Sequence, residues 1–249
     1  MGSATDELRE RLLEQMDAKH HGAFVALTQP GLDKGQLAIH FRHEYQTYIR
    51  DFPVLLARVL GQGPPPSVRH ALAENIFEEQ TGKLSLGVSH PELFLEMTRG
   101  LGIEDAAILA PDLEPEAIAY RAFLDQVSAQ PPWQVGAAVL TIFVEGSVHE
   151  RAELAGTRSL LPIEEHLERH PLVAHYGCPK EAMRLVRAHR LVEAGHRKDA
   201  WESVLGHVGD ARTRDLVATA VRRARESWLR YRDGVARAMR VDFPREPSA

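Results

Sequence analysis

Apolar residues recur at intervals of three and four along nearly the whole chain of 249 residues, and the alternating patterns of β-strands are close to absent. This spacing is typical of amphipathic helices and predicts an all-α fold. Turn-forming glycine and proline residues separate the helical stretches, as between Gly61 and Pro66. The predicted helices cover residues 4–20, 34–61, 65–80, 89–101, 114–129, 132–155, 158–174, 179–206 and 210–240.

The chain is long enough to bury one large core, and no change in composition divides it. We therefore expect one domain over residues 1–243, followed by a disordered tail at 244–249. Cys178 is the only cysteine, which excludes an intrachain disulfide and a thiolate-rich metal site. We expect it to lie in a loop, away from the core.

Charge and hydropathy narrow the classes of partner. Hydrophobic residues make up 44% of the chain and charged residues 26%, with a formal charge of −5. Without a basic surplus, neither nucleic acid nor anionic lipid is expected as a partner. No apolar run approaches the roughly 20 residues of a membrane span, and the polar N-terminus is unlike a signal peptide. We expect a cytoplasmic protein that does not contact a membrane.

His189, Glu193 and His196 stand at relative positions 0, 4 and 7. At roughly 100° per residue, these side chains lie within about 60° of one another on one helix face. Histidine and carboxylate side chains on the inward faces of packed helices are ligands of non-haem iron or manganese. The alternative is a solvated face, in which Glu193 pairs with neighbouring cations. Those cations are Arg187, Arg190, Arg197 and Lys198.

A second source of ligands is the segment that holds Glu79 and His90. These residues are 11 positions apart, about 20° out of phase on an uninterrupted helix, whereas Glu78 would be about 120° away from His90. The spacing therefore favours Glu79. An interruption of the helix at Gly82 or Gly87 would instead allow Glu78 to contribute.

Glu145 is the third source, because it follows the apolar run 137–144. A buried carboxylate is costly unless it is paired or binds a metal, so Glu145 requires a partner. The alternatives to a metal ion are Arg151 and Arg158. We expect His149, one helical turn later, to orient the Glu145 carboxylate through a hydrogen bond.

Together these motifs resemble those of the haem-oxygenase-like non-haem diiron oxidases and oxygenases. Their wider fold is shared with TenA-type thiaminases and pyrroloquinoline-quinone synthase. The resemblance spans nearly the whole chain and implies a single-domain bundle of about seven core helices. In that group the last motif usually has aspartate where this chain has Glu193. The residues that carry the resemblance are the aromatic helix His40–Phe52, Asn75-x-x-Glu78-Glu79-x-x-Gly82 leading to His90, Glu145, and His175-Tyr176-Gly177 before the helix of His189.

The resemblance implies two Fe(II) ions per chain, with O2 as co-substrate. One ion would be held by Glu79, His90 and His196 and the other by His189 and Glu193. Glu145 would bridge the ions or be shared between them. A mixed shell of nitrogen and carboxylate ligands suits Fe(II). The catalytic candidates are Glu145, His149 and Tyr48.

The fold alone specifies no substrate, but the resemblance implies a substrate class. Members of this group desaturate, N-oxygenate, fragment or decarboxylate small amino-acid-like or fatty-acid-like substrates. We expect a free amino acid or related amine in specialised metabolism, an external electron donor and a possible homodimer. Candidate anchors for a substrate carboxylate are Arg184, Arg187 and Lys83. Tyr45, Tyr48 and Phe52 would line the cavity.

Two other functions remain open at this point. The first is a metal-free oxidase or thiaminase-like enzyme of the same fold, with histidines as general acids and bases. The second is a non-catalytic helical binding protein.

The chain contains three further histidine clusters. His166 and His170 have a metal-like spacing, but their charged surroundings favour an exposed surface. His40 with Glu44 would line the pocket or add a ligand. His20 and His21 would cap a helix end as cations.

Overall fold

The computed structural model describes residues 3–242, except for the side chains of Phe24 and of residues 192–196. Within this range the chain forms helices and loops but no strand, which confirms the all-α prediction. The α-helices are α1 Ala4–Asp17, α2 Ala23–Thr28, α3 Lys34–Glu44, α4 Phe52–Gly61, α5 Pro66–Thr81, α6 His90–Gly100, α7 Asp105–Leu109, α8 Pro115–Ala129, α9 Trp133–Ala137, α10 Glu150–Leu154, α11 Ile163–Arg169, α12 Pro171–Ala174, α13 Arg184–Leu205 and α14 Ala211–Ala238.

Local chemistry sets where several of these helices begin. Ser3 and Asp6 form a reciprocal capping box at the start of α1, and Asp33 and Gln36 form another at α3. Proline occupies the first turn of α4, α5, α6, α8 and α12, where its missing N–H costs no helical hydrogen bond. These signals explain why the predicted starts lie close to the observed ones.

Two predicted helices are interrupted by π-helical segments. The predicted helix 34–61 contains the segment Tyr45–Ile49 and breaks before α4. The predicted helix 132–155 becomes π-helical at Ala138–Val144 and ends before Gly146. A π-helical turn widens the helix and frequently occurs at a functional site, and apolar periodicity does not reveal it.

Proline divides another predicted helix. The expected helix 158–174 is replaced by α11 and α12, since His170 precedes Pro171 and adopts an extended conformation. The expected helix 179–206 starts as a 3-10 turn at Lys180–Ala182, and α13 begins only at Arg184. The short helices α2 and α7 were not predicted.

Helix α14 is central to the packing and contacts α1, α3, α8 and the second π-helical segment. Its buried residues follow a spacing of three and four and include Val217, Val221, Ala224, Trp228 and Tyr231. They belong to the first of two apolar clusters. The second cluster lies around α6 and the start of α13.

Cys178 belongs to this second cluster and is 2% exposed, so the prediction that it lies away from the core is wrong. Burial raises the pKa of its thiol to about 11, which keeps it protonated at neutral pH. In the part of the chain that the structure covers, no helix is both long and apolar enough to cross a membrane. The predicted tail 244–249 lies outside the described residues.

Candidate metal centre

A cavity of about 350 Å³ lies where the two apolar clusters meet. Seven residues that were predicted for the site or its cavity line it, although they come from different parts of the chain: Glu44, Tyr48, Phe52, Glu79, His90, Glu145 and His189. The structure thus brings the three predicted sources of ligands together. The other lining residues are Ile49, Phe94, Val144, Leu185 and Arg197, whereas Tyr45, which was predicted to line the cavity, does not.

His90 is buried at the start of α6, with a carboxylate beside each ring nitrogen. Its Nδ1 lies 2.8 Å from Oε1 of Glu79, and its Nε2 lies 3.2 Å from Oε1 of Glu78. The Nδ1 contact does not have the alignment of a hydrogen bond. Burial opposes protonation of the ring, but Glu79 and Glu78 outweigh it and raise the pKa of His90.

The turn between α5 and α6 brings both carboxylates to His90. Helix α5 ends because Gly82 adopts a left-handed conformation, with φ of 61°. The argument from helical phase, which favoured Glu79 over Glu78, therefore does not apply. Glu78 is fully buried and accepts hydrogen bonds from the Leu84 N–H, at 2.7 Å, and from the Ser85 hydroxyl.

Glu145 directly follows the second π-helical segment. Asn75 Nδ2, on α5, donates to Glu145 Oε1 at 3.0 Å and contacts Oε2 at 3.3 Å. Sequence reasoning assigned no role to Asn75, although it lies one turn before Glu78 and Glu79. The charged alternatives are engaged elsewhere, since Arg151 pairs with Glu10 and Asp17 and Arg158 pairs with Glu153.

His149 is exposed and does not line the cavity. Its predicted role required a helix that continues from Glu145, whereas the helix ends before Gly146. The structure therefore does not support His149 as the group that orients Glu145. Its neighbour Glu150 is 1% exposed and was missed; it accepts from Trp201 Nε1 at 2.8 Å and pairs with Arg197 at 3.1 Å.

His189 extends from α13, and its ring centroid lies 5.0 Å from that of His90. Helix α13 is continuous from Arg184 to Leu205, so the backbone meets the condition on which the spacing argument rests. The side chains of Glu193 and His196 lie outside the described residues. Among the cations that could have formed a solvated face there, Arg187 pairs with Glu164, Arg197 with Glu150 and Lys198 with Glu202.

Opposing charges are buried at another part of the cavity wall. The Glu44 carboxylate forms an ion pair with Arg232 and accepts from the hydroxyls of Tyr48 and Tyr231, the latter at 3.0 Å. Burial would raise the pKa of Glu44, but the Arg232 charge outweighs it and the pKa is lowered. Burial raises the pKa of Tyr48, which therefore keeps its proton. Arg232 was not predicted, although it lies one turn after the buried Trp228.

Lys19 fixes the backbone on both sides of Glu145. Its Nζ donates to the carbonyl oxygens of Phe143 and Gly146, each at 2.6 Å, and to that of Val144 at 3.1 Å. It thus satisfies carbonyls at the end of a helix, where intrahelical partners are missing. Burial lowers the pKa of Lys19 to about 7.

The predicted anchors for a substrate carboxylate are not in the cavity lining. Arg184 pairs with Glu96 at 3.0 Å, Arg187 pairs with Glu164, and Lys83 lies over the Phe77 ring. These predictions are corrected by the structure. Arg184 and Arg187 instead form ion pairs outside the cavity, and Lys83 contacts an aromatic ring.

The histidines of the three further clusters do not line the cavity, although Glu44, the predicted neighbour of His40, does. His40 is buried, and burial lowers its pKa to about 4. His170 is half-buried and accepts the Leu172 N–H at 3.3 Å, so the expectation of an exposed pair with His166 is wrong. His21 is buried and its Nδ1 accepts the Ala23 N–H at 3.2 Å. It therefore caps a helix as an acceptor and not as a cation.

The residues around His90 fit a metal ion. With bonds of about 2.1 Å, two ligands of one ion lie roughly 3 Å apart, which matches the unaligned contact between His90 Nδ1 and Glu79 Oε1. Among the side chains that the structure describes, no three ligand-type groups form a closed cage. The predicted ligands Glu193 and His196 are not among the side chains that the structure describes. Imidazole and carboxylate ligands are those of non-haem iron.

The fold and the cavity define an all-helical protein of the haem-oxygenase type with histidine and carboxylate donors inside the bundle. The family described as iron-containing redox enzymes matches residues 39–229. The chain belongs to this family, and the resemblance inferred from the motifs is confirmed.

Curated and solved relatives span nearly the whole chain. A 4-aminobenzoate synthase of Nitrosomonas europaea is 21% identical over 93% of this chain and 92% of its own length. A domain of unknown function with a haem-oxygenase-like fold, from Shewanella denitrificans, has a TM-score of 0.68 at 15% identity and covers 94% of this chain and 93% of that one. A TenA homologue from Pseudomonas syringae has a TM-score of 0.69 at 14% identity and covers 93% and 92%. The two structures show the fold alone.

Proposed function

We propose that the protein is an O2-dependent non-haem diiron oxidase or oxygenase that acts on a small amino-acid-like substrate. One observation carries the proposal: Glu79 on α5, His90 on α6, Glu145 after the second π-helical segment and His189 on α13 meet in one cavity. His90 is buried and the other three are partly buried, and removing carboxylates and imidazoles from water is costly without a function that needs it. Membership of a family of iron-containing redox enzymes supports iron as the metal.

Each donor has a role in this proposal. Glu79 and His90, with His196, would hold one iron, and His189 and Glu193 would hold the other, with Glu145 shared. When bound, Fe(II) supplies the electrons that activate O2. Phe52, Phe94 and Leu185 give the cavity an apolar wall, which limits the access of water.

Tyr48 and Glu44 would bind and orient the substrate. Tyr48 keeps its proton and donates a hydrogen bond to the Glu44 carboxylate, so its hydroxyl oxygen can accept a hydrogen bond from the substrate. The ionised Glu44 lines the same cavity and suits the ammonium group of an amino acid. A volume of about 350 Å³ lies at the small end of the range for ligand sites.

Two further points support an amine substrate and an external electron donor. The name of the Nitrosomonas relative specifies a product with both an amino and a carboxylate group. Complete reduction of O2 to the level of water takes four electrons. A substrate that loses two hydrogen atoms, or gains one oxygen atom, supplies two of them. The remaining two would come from an external donor. Desaturation, N-oxygenation and C–C fragmentation all fit this balance.

The test is anaerobic loading with Fe(II), desalting and measurement of retained iron. The expected result is about two irons per chain, with loss of iron in His90→Ala and His189→Ala. Stopped-flow mixing with O2 and a panel of free amino acids and fatty acids would then identify the substrate class. His70→Ala is the matched control, because His70 is an exposed histidine on α5.

A wild-type protein that retains no iron would overturn this proposal and favour a metal-free enzyme of the same fold. The TenA homologue has that fold. A thiol nucleophile is disfavoured even then, because Cys178 is buried and its pKa is raised.

A further inference from the structure

We propose that the adjacent residues Glu78 and Glu79 have different roles, which deepens the proposed function and rests on it. Glu79 binds iron directly. Glu78 is a positioning residue that holds His90 in the tautomer whose Nδ1 faces the same ion. The juxtaposition of the two carboxylates with opposite nitrogens of one ring is the basis of this inference.

Glu78 is unsuited to bind a metal in the cavity. It is fully buried and does not line the cavity, whereas Glu79 does. Its Oε2 accepts the Leu84 N–H and its Oε1 accepts the Ser85 hydroxyl. Both oxygens are therefore held by the turn that follows α5.

The arrangement fixes which nitrogen of His90 carries the proton. A carboxylate that already accepts two hydrogen bonds serves as an acceptor for Nε2, so Nε2 carries the hydrogen. In the neutral ring Nδ1 then has the lone pair. Nδ1 lies beside the cavity-lining Glu79 without hydrogen-bond alignment, as expected for two ligands of one ion.

A metal-binding histidine usually donates its other N–H to a carboxylate or carbonyl, and loss of that partner weakens metal binding about 10- to 100-fold. Glu78 fits this role, and the sequence alone left Glu78 and Glu79 open as ligands. The short turn from Gly82 to Ser89 is what allows neighbouring carboxylates to reach both edges of one ring.

Glu78→Gln tests the inference. The Leu84 N–H selects the amide oxygen of the new side chain, which leaves the amide NH2 facing His90. That NH2 donates to Nε2 and moves the ring proton to Nδ1. Long-range ¹H–¹⁵N NMR of the metal-free protein at pH 8.5 reports the tautomer. The expected result is Nε2–H in the wild type and Nδ1–H in Glu78→Gln.

Iron titration with a competing chelator supplies the second readout. We expect Glu78→Gln to keep the iron count at saturation but to bind about 10- to 100-fold more weakly. Glu79→Gln should lose one iron and keep the Nε2–H tautomer. Ser85→Ala loosens Glu78 without altering its charge and should shift affinity in the same direction by less. Glu74→Gln, an exposed position on α5, is the matched control.

An unchanged tautomer in Glu78→Gln overturns the inference, as does loss of an iron in Glu78→Gln with both retained in Glu79→Gln. A wild-type protein that binds no iron instead overturns the proposed function and with it the role of Glu79. The NMR measurement needs no metal, so the two failures are distinguishable.

Discussion

Asn75 Nδ2 donates a 3.0 Å hydrogen bond to Glu145 Oε1 across two elements that are 70 residues apart in sequence. Asn75 lies on α5, the helix that also carries Glu78 and Glu79. Helix α5 thus orients the Glu145 carboxylate, which follows the second π-helical segment, and also supplies the candidate ligand Glu79. A rotation or shift of α5 would disturb both at once.

Removing the Asn75 amide should weaken iron binding without removing a ligand. We expect Asn75→Ala to lower the affinity about 10- to 100-fold, because Glu145 loses a group that orients its carboxylate. Titration with Fe(II) against a chelator measures the effect. Gln62→Ala, which loses a hydrogen bond to the Ser128 carbonyl, is the control away from the cavity. Equal affinities for Asn75→Ala and the wild type would contradict the role of Asn75.

Breaking the buried pair of Glu44 and Arg232 should strongly destabilise the fold. Arg232→Met leaves the Glu44 carboxylate buried without that cation, and we expect a loss of about 3–5 kcal/mol in the free energy of unfolding. The double variant with Glu44→Gln should recover much of this loss. Urea unfolding measures both. Arg222→Met, in the exposed pair with Glu226, should cost less than about 1 kcal/mol. Equal costs for the two single variants would rule out a special role for the buried pair.

Lys19 should make stability depend on pH in the alkaline range. Burial lowers its pKa from 10.5 to about 7, so between these values the unfolded chain binds a proton that the folded chain does not. The free energy of unfolding therefore rises with pH, by up to about 1.4 kcal/mol per pH unit, and this contribution is flat below pH 7.

Urea unfolding at pH 6, 7.5 and 9 tests this slope. Lys19→Met should lack the rise between pH 7.5 and 9, whereas Lys198→Met, at an exposed position, should follow the wild type. Parallel profiles for all three proteins would show that Lys19 keeps an ordinary pKa.

Gly82→Ala should disrupt the turn that brings Glu78 to His90. A Cβ at Gly82 would lie 2.0 Å from the Val88 carbonyl oxygen, and the backbone there is left-handed. Gly63 is the matched control, since its φ is +73° but a Cβ would contact nothing within 4 Å. Gly63→Ala should cost about 1–2 kcal/mol from backbone conformation alone. Gly82→Ala should cost more and also weaken iron binding; equal effects would mean that the turn accommodates the methyl group.

The sequence by itself determined the helical class and most of the donors. Apolar spacing, capping residues and first-turn prolines are local signals, and they predicted the main helices, including the continuous helix under His189 and Glu193. The motifs selected Glu79, His90 and Glu145, all of which line the cavity or meet at its wall. The resemblance to iron enzymes of this fold followed from the order of those motifs.

Only the tertiary structure decided how the donors are supported. The contacts of Asn75 with Glu145, Arg232 with Glu44 and Lys19 with the Phe143 carbonyl join residues 70, 188 and 124 positions apart, respectively. Helical periodicity describes one segment at a time and does not specify which faces meet. The end of the helix before Gly146 and the left-handed Gly82 also removed the uninterrupted helices on which the predictions for His149 and Glu79 depended. For these reasons the partners of each donor depend on packing, which local sequence patterns do not encode.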